Sequence, residues 1–365
     1  MKRTLLVALL LAAGCVSSAH NQLDDESWPK TNGDGVSVHA RPGDVDGRAA
    51  QLVAKELSAV RATVGEALGL VGSGSGAPPL GEVLLYRDTG WGQERWLETH
   101  ATILEHPLRV RIPCALPEAD AAGDQIAARI RGTVAHEVAE ASVLTRVPIL
   151  DPYLRWFHDG VAECVAYRVL SRLDAKAADE MLARYEQYVR EARRARKSIA
   201  WVDLTRWRQL PNWIVHSDVL FSKDGPLSLD NVPRSLERIS EKRVAAARDP
   251  ETVAVLDDLV DMLGQALVRE QLPLADGEAD VRTPSGQFLC YGASFCFWLE
   301  LERAHPGITA GTLSQVERRH RAVLRSDDVA TIVGQLAGED VRVRLERFTL
   351  DHLEAILADE RRGGR

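Results

Sequence analysis

The chain has 365 residues and a formal net charge of −8 at pH 7, enough length for one large core or two modest ones. The acidic balance, with no basic cluster assigned to a folded lobe, argues against nucleic acid as a partner. No stretch beyond the N-terminal leader is long and apolar enough to span a membrane.

Residues 1–15 read as an export signal. Lys2 and Arg3 form its charged region, and Leu5 to Leu11 an apolar run too short to cross a bilayer. Ala12-Ala13-Gly14-Cys15 is similar to a bacterial lipobox, which implies acylation of Cys15 and a lipoprotein anchored outside the cytoplasm, in a cell envelope, facing the periplasm or the surface. Simple cleavage near Ala19, with loss of Cys15, is the alternative. Loss of Lys2 and Arg3 takes the charge from −8 to −10. Residues 16–34, polar and rich in Gly, Asn and Asp, suit a flexible tether.

Val36 to Ala40 alternates as a short strand. Asp44 or Asp46 can cap a helix running to about Leu70, with Ala50, Val53, Leu57 and Val60 as its apolar stripe. Gly72 to Pro79 is a loop, Glu82 to Tyr86 a buried strand, and Thr102 to Cys114 one or two more strands around His106-Pro107. Asp124 then caps a helix with Ile126, Ile130, Val134 and Val138 on one side and Gly132, His136 and Glu140 on the other. Such a helix is expected between two layers, with Gly132 leaving room for a ligand.

His136 and Glu140 are four apart, so a helix stacks them on one face, and Glu137 sits about a hundred degrees round. Two ligands and an intervening general base have this spacing in metal-dependent hydrolysis. Nineteen positions after Glu140 comes Asp159, in the string Trp156-Phe157-His158-Asp159-Gly160-Val161-Ala162-Glu163. His158 could be a substitute ligand, but next to Asp159 it is expected to point elsewhere, at the surface or as an outer partner. Glu163, one turn beyond Asp159, suits a carboxylate that orients a His or Arg.

The two strings together resemble the gluzincin metallopeptidases (peptidase MA-like), with an HExxE motif where the family has HExxH. The resemblance implies His136 as first ligand, Glu137 as general base, Glu140 in place of the second ligand His and Asp159 in place of the third ligand Glu. It implies one divalent metal, zinc first, and a peptide or protein substrate. Two carboxylate ligands weaken the ion's pull on water and favour harder ions such as manganese, iron or calcium.

Ser171 to about Lys197 reads as one long charged helix with Leu182, Tyr185 and Val189 inward, the basic run Arg190 to Lys197 being a solvated face. Trp201, Trp207 and Trp213 read as a core cluster, and Ser222 to Pro233 as a connector. Tyr291 opens a helix ending near Ala304, and its string Y-G-A-S-F-C-F-W-L is similar to a helix that follows the catalytic region in gluzincin-like proteins. That match implies Tyr291 at the oxyanion; a packed helix start is the alternative. Val329 to Leu357 is a helical tail. Cys114, Cys164, Cys290 and Cys296 could pair in an exported protein, although Cys290 and Cys296 should not reach each other.

The expected architecture is α+β: a zincin-like lobe over residues 35–170, with a small mixed sheet and the active-site helices, then a mostly helical lobe over 171–365. Three functions stay open. One is a membrane-anchored metallopeptidase with altered ligands. Another is a metal-free pseudoenzyme that binds peptides, with Glu140 and Asp159 held by Arg, Lys or His158. The last is a helical structural lipoprotein with a chance motif.

Overall fold

A computed structural model describes residues 29–33, 36–40, 42, 47–70, 80–87, 101–102, 108–114, 123–144, 146, 149–208, 214, 217, 220–221, 225–319 and 323–363. Residues 1–15, expected as an export signal with Cys15, the 72–79 segment, His106-Pro107 and Trp213 lie outside the described residues. Among the described residues, no helix is long and apolar enough to cross a membrane.

The fold is α+β and mostly helical, with a small mixed sheet near its start. The strands are β1 (Lys30–Gly33), β2 (Val36–Ala40), β3 (Leu80–Arg87), β4 (Ala101–Thr102) and β5 (Leu108–Cys114), in the order β1-β2-β3-β5-β4. β1 therefore takes up residues expected to belong to the tether. β2, β3 and β5 run parallel, with Val38, Val83 and Val110 in register, while β1 and β4 lie antiparallel on the two edges. Helix α1 (Gly47–Ala67) makes the crossover that parallel β2 and β3 require. It buries Ala50, Ala54, Leu57, Val60 and Val64, and packs on β1 and β2.

The next helix, α2 (Gly123–Leu144), packs on α1, on β5 and most extensively on α3 (Arg155–Leu173). Val134, Ala135, Val138, Ala139 and Val143 of α2 are fully buried. Gly132 serves this packing: a Cβ there would stand 3.2 Å from Leu170 Cδ1 of α3. Its small size is used by a neighbouring helix.

The long helix expected from Ser171 is two. α3 ends at Leu173, and Asp174 caps α4 (Ala175–Ala195) by accepting from Ala177 N. Leu182, Tyr185 and Val189 do face inward. Next come β6 (Trp201–Val202), α5 (Val232–Ala245), α6 (Pro250–Gln271) and α7 (Pro284–Ala304). Thr283 caps α7 by accepting from Gly286 N, so this helix starts well before Tyr291. The remaining helices are α8 (Ile308–Arg319), α9 (Ser326–Ala337), α10 (Arg342–Glu346) and α11 (Leu350–Gly363). One core cluster runs from Val36 to Leu357, so the sheet and the C-terminal helices share an interior. Cys164, Cys290 and Cys296 are buried free thiols, and Cys114 lies in β5.

The second string is built into this interior. Trp156 stacks on Trp298 of α7, with ring centroids 6.1 Å apart, and donates to Ser326 Oγ at 2.8 Å. Trp298 Nε1 donates to Trp156 O at 2.9 Å. A Cβ at Gly160 would stand 2.8 Å from Trp298 Cδ1 and 3.0 Å from Ser294 Cβ, so α3 and α7 cross where only glycine fits. Gly160→Ala is expected to destabilise the protein by about 1–3 kcal/mol, the usual cost of overpacking a filled core. Urea unfolding followed by tryptophan fluorescence checks this, and an unchanged midpoint would contradict the packing account.

Candidate metal centre

α2 and α3 bring His136, Glu137, Glu140, His158, Asp159 and Glu163 to one place. His136 Nε2 lies 3.8 Å from Glu140 Oε2 and 3.7 Å from Asp159 Oδ1. On the other edge of the ring, His136 Nδ1 is 3.1 Å from Glu163 Oε1, close enough for an ion pair but off the line of a good hydrogen bond. Tyr185 of α4 donates to Glu163 and fixes that carboxylate. Glu137 is buried beside them.

His158 does not point elsewhere. Its Nδ1 is 2.8 Å from Glu140 Oε1 and 3.4 Å from Asp159 Oδ2, and the ring is buried. The surface role is excluded because both sides of α3 are covered, while the contact with Glu140 is one an outer partner would make.

Arg155 is the site residue that the motif reading missed. Buried one turn before Asp159, it donates from Nε to Asp159 Oδ2 at 2.7 Å and from Nη1 to Gln287 Oε1 at 2.8 Å. Nη2 donates to Tyr291 Oη. Its guanidinium carbon lies 4.7 Å from the Trp207 ring centre and 5.1 Å from that of Tyr291, within cation–π range. Gln287 is held in turn by Trp207 Nε1, which donates to Oε1 at 2.7 Å. The available signal was an arginine inside the apolar run Tyr153-Leu154-Arg155-Trp156-Phe157, four residues before an aspartate. Tyr291 is thus joined to the cluster through Arg155.

The electrostatics follow from burial. Burial opposes ionisation of Asp159, but Arg155, then His158 and His136, outweigh it and hold the carboxyl far below its usual range. Burial likewise opposes a charge on His136, yet Glu163, Asp159 and Glu137 prevail and raise its pKa well above the ordinary value. Glu163 is lowered against its burial by His136 and Tyr185. Burial pushes the Tyr291 phenol well up despite the nearby Arg155, so it stays protonated in neutral solution.

Among the described residues, two overlapping groups are disposed to hold a metal ion: His136, Glu137 and Glu140, and Glu140, His158 and Asp159, each with ligand atoms within 4.8 Å of one another. Glu140 belongs to both. Compared with known proteins, the chain matches no family model and no curated protein.

His136 makes stability depend on pH with a definite sign. A histidine whose folded pKa is raised stabilises fully below its unfolded value, about 6.5, and loses that contribution as pH rises through the folded value. Chelator-treated protein should therefore have a falling melting temperature above about pH 6.5, and His136→Gln should flatten the fall. A melting temperature that rises over this range would contradict the assignment.

Proposed function

We propose that this chain is a gluzincin-like metallopeptidase homologue that hydrolyses peptide bonds at the α2–α3 cluster. In this reading His136, Glu140 and Asp159 hold one divalent metal, zinc first, and Glu137 is the general base. The observation that carries it is the convergence of ligand atoms on His136 Nε2, 3.7 and 3.8 Å from the two carboxylates. Neighbouring ligands that each lie 2.0–2.1 Å from a tetrahedral ion are roughly 3.3 Å apart, so each carboxylate would close on His136 Nε2 by a few tenths of an ångström. Nitrogen and carboxylate donors also suit a divalent ion chemically.

A bound ion there supplies Lewis acidity, polarising a peptide carbonyl and making water more acidic. The protein's own groups do the rest. Glu137 takes the proton from water, and Glu163 with Tyr185 fixes the His136 ring. Arg155 holds Asp159 Oδ2, so that Oδ1 faces His136. It also offsets the charge of Asp159, which eases the weakening expected from two carboxylate ligands. Arg155 donates to Tyr291 Oη, leaving the phenol proton to be given to a developing oxyanion.

A second reading has its own support. Arg155 on Asp159 and His158 on Glu140 are the contacts a metal-free pseudoenzyme would use to neutralise these carboxylates, the fold then acting as a peptide-binding or interaction module. In either reading we assign the protein to a bacterial cell envelope, anchored to the membrane through lipid on Cys15, with no nucleic-acid partner.

Substitutions on α2 separate the two. Glu137→Gln should lower hydrolysis of a peptide library by about 10²–10⁴-fold while bound metal is kept. Glu140→His should tighten zinc binding by supplying a second imidazole on the same helix face. Cleavage unaltered by either substitution would overturn the peptidase and leave the binding module.

A further inference from the structure

We infer that His158 is itself a metal ligand and supplies the imidazole that α2 lacks at Glu140. This rests on the metal-site reading above and changes its ligand set. Three observations support it. His158 is 2 % exposed, which removes the role of a surface histidine. Its Nδ1 approaches both carboxylates of the site, Glu140 Oε1 at 2.8 Å and Asp159 Oδ2 at 3.4 Å. Finally, Glu140, His158 and Asp159 form one of the two groups whose ligand atoms all lie within 4.8 Å.

The spacing suits a shared ion. Two ligands of one tetrahedral ion stand roughly 3.3 Å apart. His158 Nδ1 stands 3.4 Å from Asp159 Oδ2, which puts the imidazole beside the carboxylate whose other oxygen faces His136. The 2.8 Å contact with Glu140 is a hydrogen-bond length, and it must open by a few tenths of an ångström as the ion replaces the shared proton. Asp159 Oδ2 accepts from Arg155 at 2.7 Å, which leaves Oδ1, the oxygen facing His136, for the metal.

The donor chemistry points the same way. His136, Glu140 and Asp159 alone give one nitrogen and two carboxylates, a set that drifts towards manganese or calcium. With His158 the site has two imidazoles and two carboxylates, and its preference moves to borderline ions, zinc or cobalt. The second histidine of the usual helix motif is then not lost from the site. It has moved from α2 to the start of α3, next to the third ligand.

The competing role for His158 is an imidazolium paired with Glu140 and no metal. X-ray absorption of the full chain loaded with one equivalent of zinc distinguishes the two, because the outer-shell scattering counts coordinated imidazoles whether or not the protein is active. Two imidazoles are expected in the wild type and one in His158→Gln. Zinc affinity should fall by more than the roughly 10–100-fold that loss of an outer partner causes. One imidazole in the wild type, or two retained in His158→Gln, would overturn the inference while leaving the metal-site reading in place. Absence of zinc binding by the wild type would overturn both. The wild-type count decides the matter even if the variant fails to fold.

Discussion

The Arg155–Asp159 ion pair is the interaction on which the rest of the site depends. Asp159 is only 3 % exposed, and its charge is tolerated because the Arg155 Nε–H is aimed at it from 2.7 Å. Removing one partner of such a pair costs about 3–5 kcal/mol, since the other is left buried and uncompensated. The remaining arms of Arg155 reach α7, at Gln287 and Tyr291, and its face covers Trp207. One guanidinium therefore ties the Asp159 carboxylate to the helix that carries the phenol. It also means that an ion arriving at Asp159 meets a carboxylate already half-neutralised.

The geometry of the cluster is set by core packing more than by the cluster's own bonds. Gly132 lets Leu170 close onto α2, and Gly160 lets Trp298 and Ser294 close onto α3. The stacked Trp156–Trp298 pair fixes the rotation of α3, and with it the direction of the next residues, His158 and Asp159. Aromatic pairs of this kind add about 0.5–1.5 kcal/mol beyond their buried area. Ligand-bearing residues on rigid helices, rather than loops, hold their positions without an ion present.

Much of this was legible in the sequence, for identifiable reasons. The i, i+4 relation of His136 and Glu140 follows from helix geometry alone, and alternation marked Val36–Ala40 as a strand. Trp-Phe-x-Asp-Gly drew attention to α3 through its resemblance to a family motif, and its Trp156 and Gly160 serve the packing of α3 on α7. What stayed hidden depended on elements far away in the chain. Arg155 acquires its role from Gln287 and Tyr291, more than 130 positions later. The use of Gly132 depends on Leu170, and the inward turn of His158 on α3 being covered all round. Helix starts were misjudged where a cap did the work unseen, as with Thr283 ahead of α7 and Asp174 between α3 and α4. Tyr185, recognised only as an inward residue, turned out to hold Glu163.

The proposed centre has His136, His158, Glu140 and Asp159 gathered between α2 and α3 to hold one divalent ion, with Glu137 and Glu163 beside them. It is tested most directly by elemental analysis of the purified full chain after exhaustive dialysis, with zinc, cobalt and manganese each offered back to chelator-treated protein. One equivalent of metal per chain is expected, lost in His136→Ala protein whose circular dichroism is unchanged. Folded wild-type protein that retains no metal and takes up none of the three would contradict it.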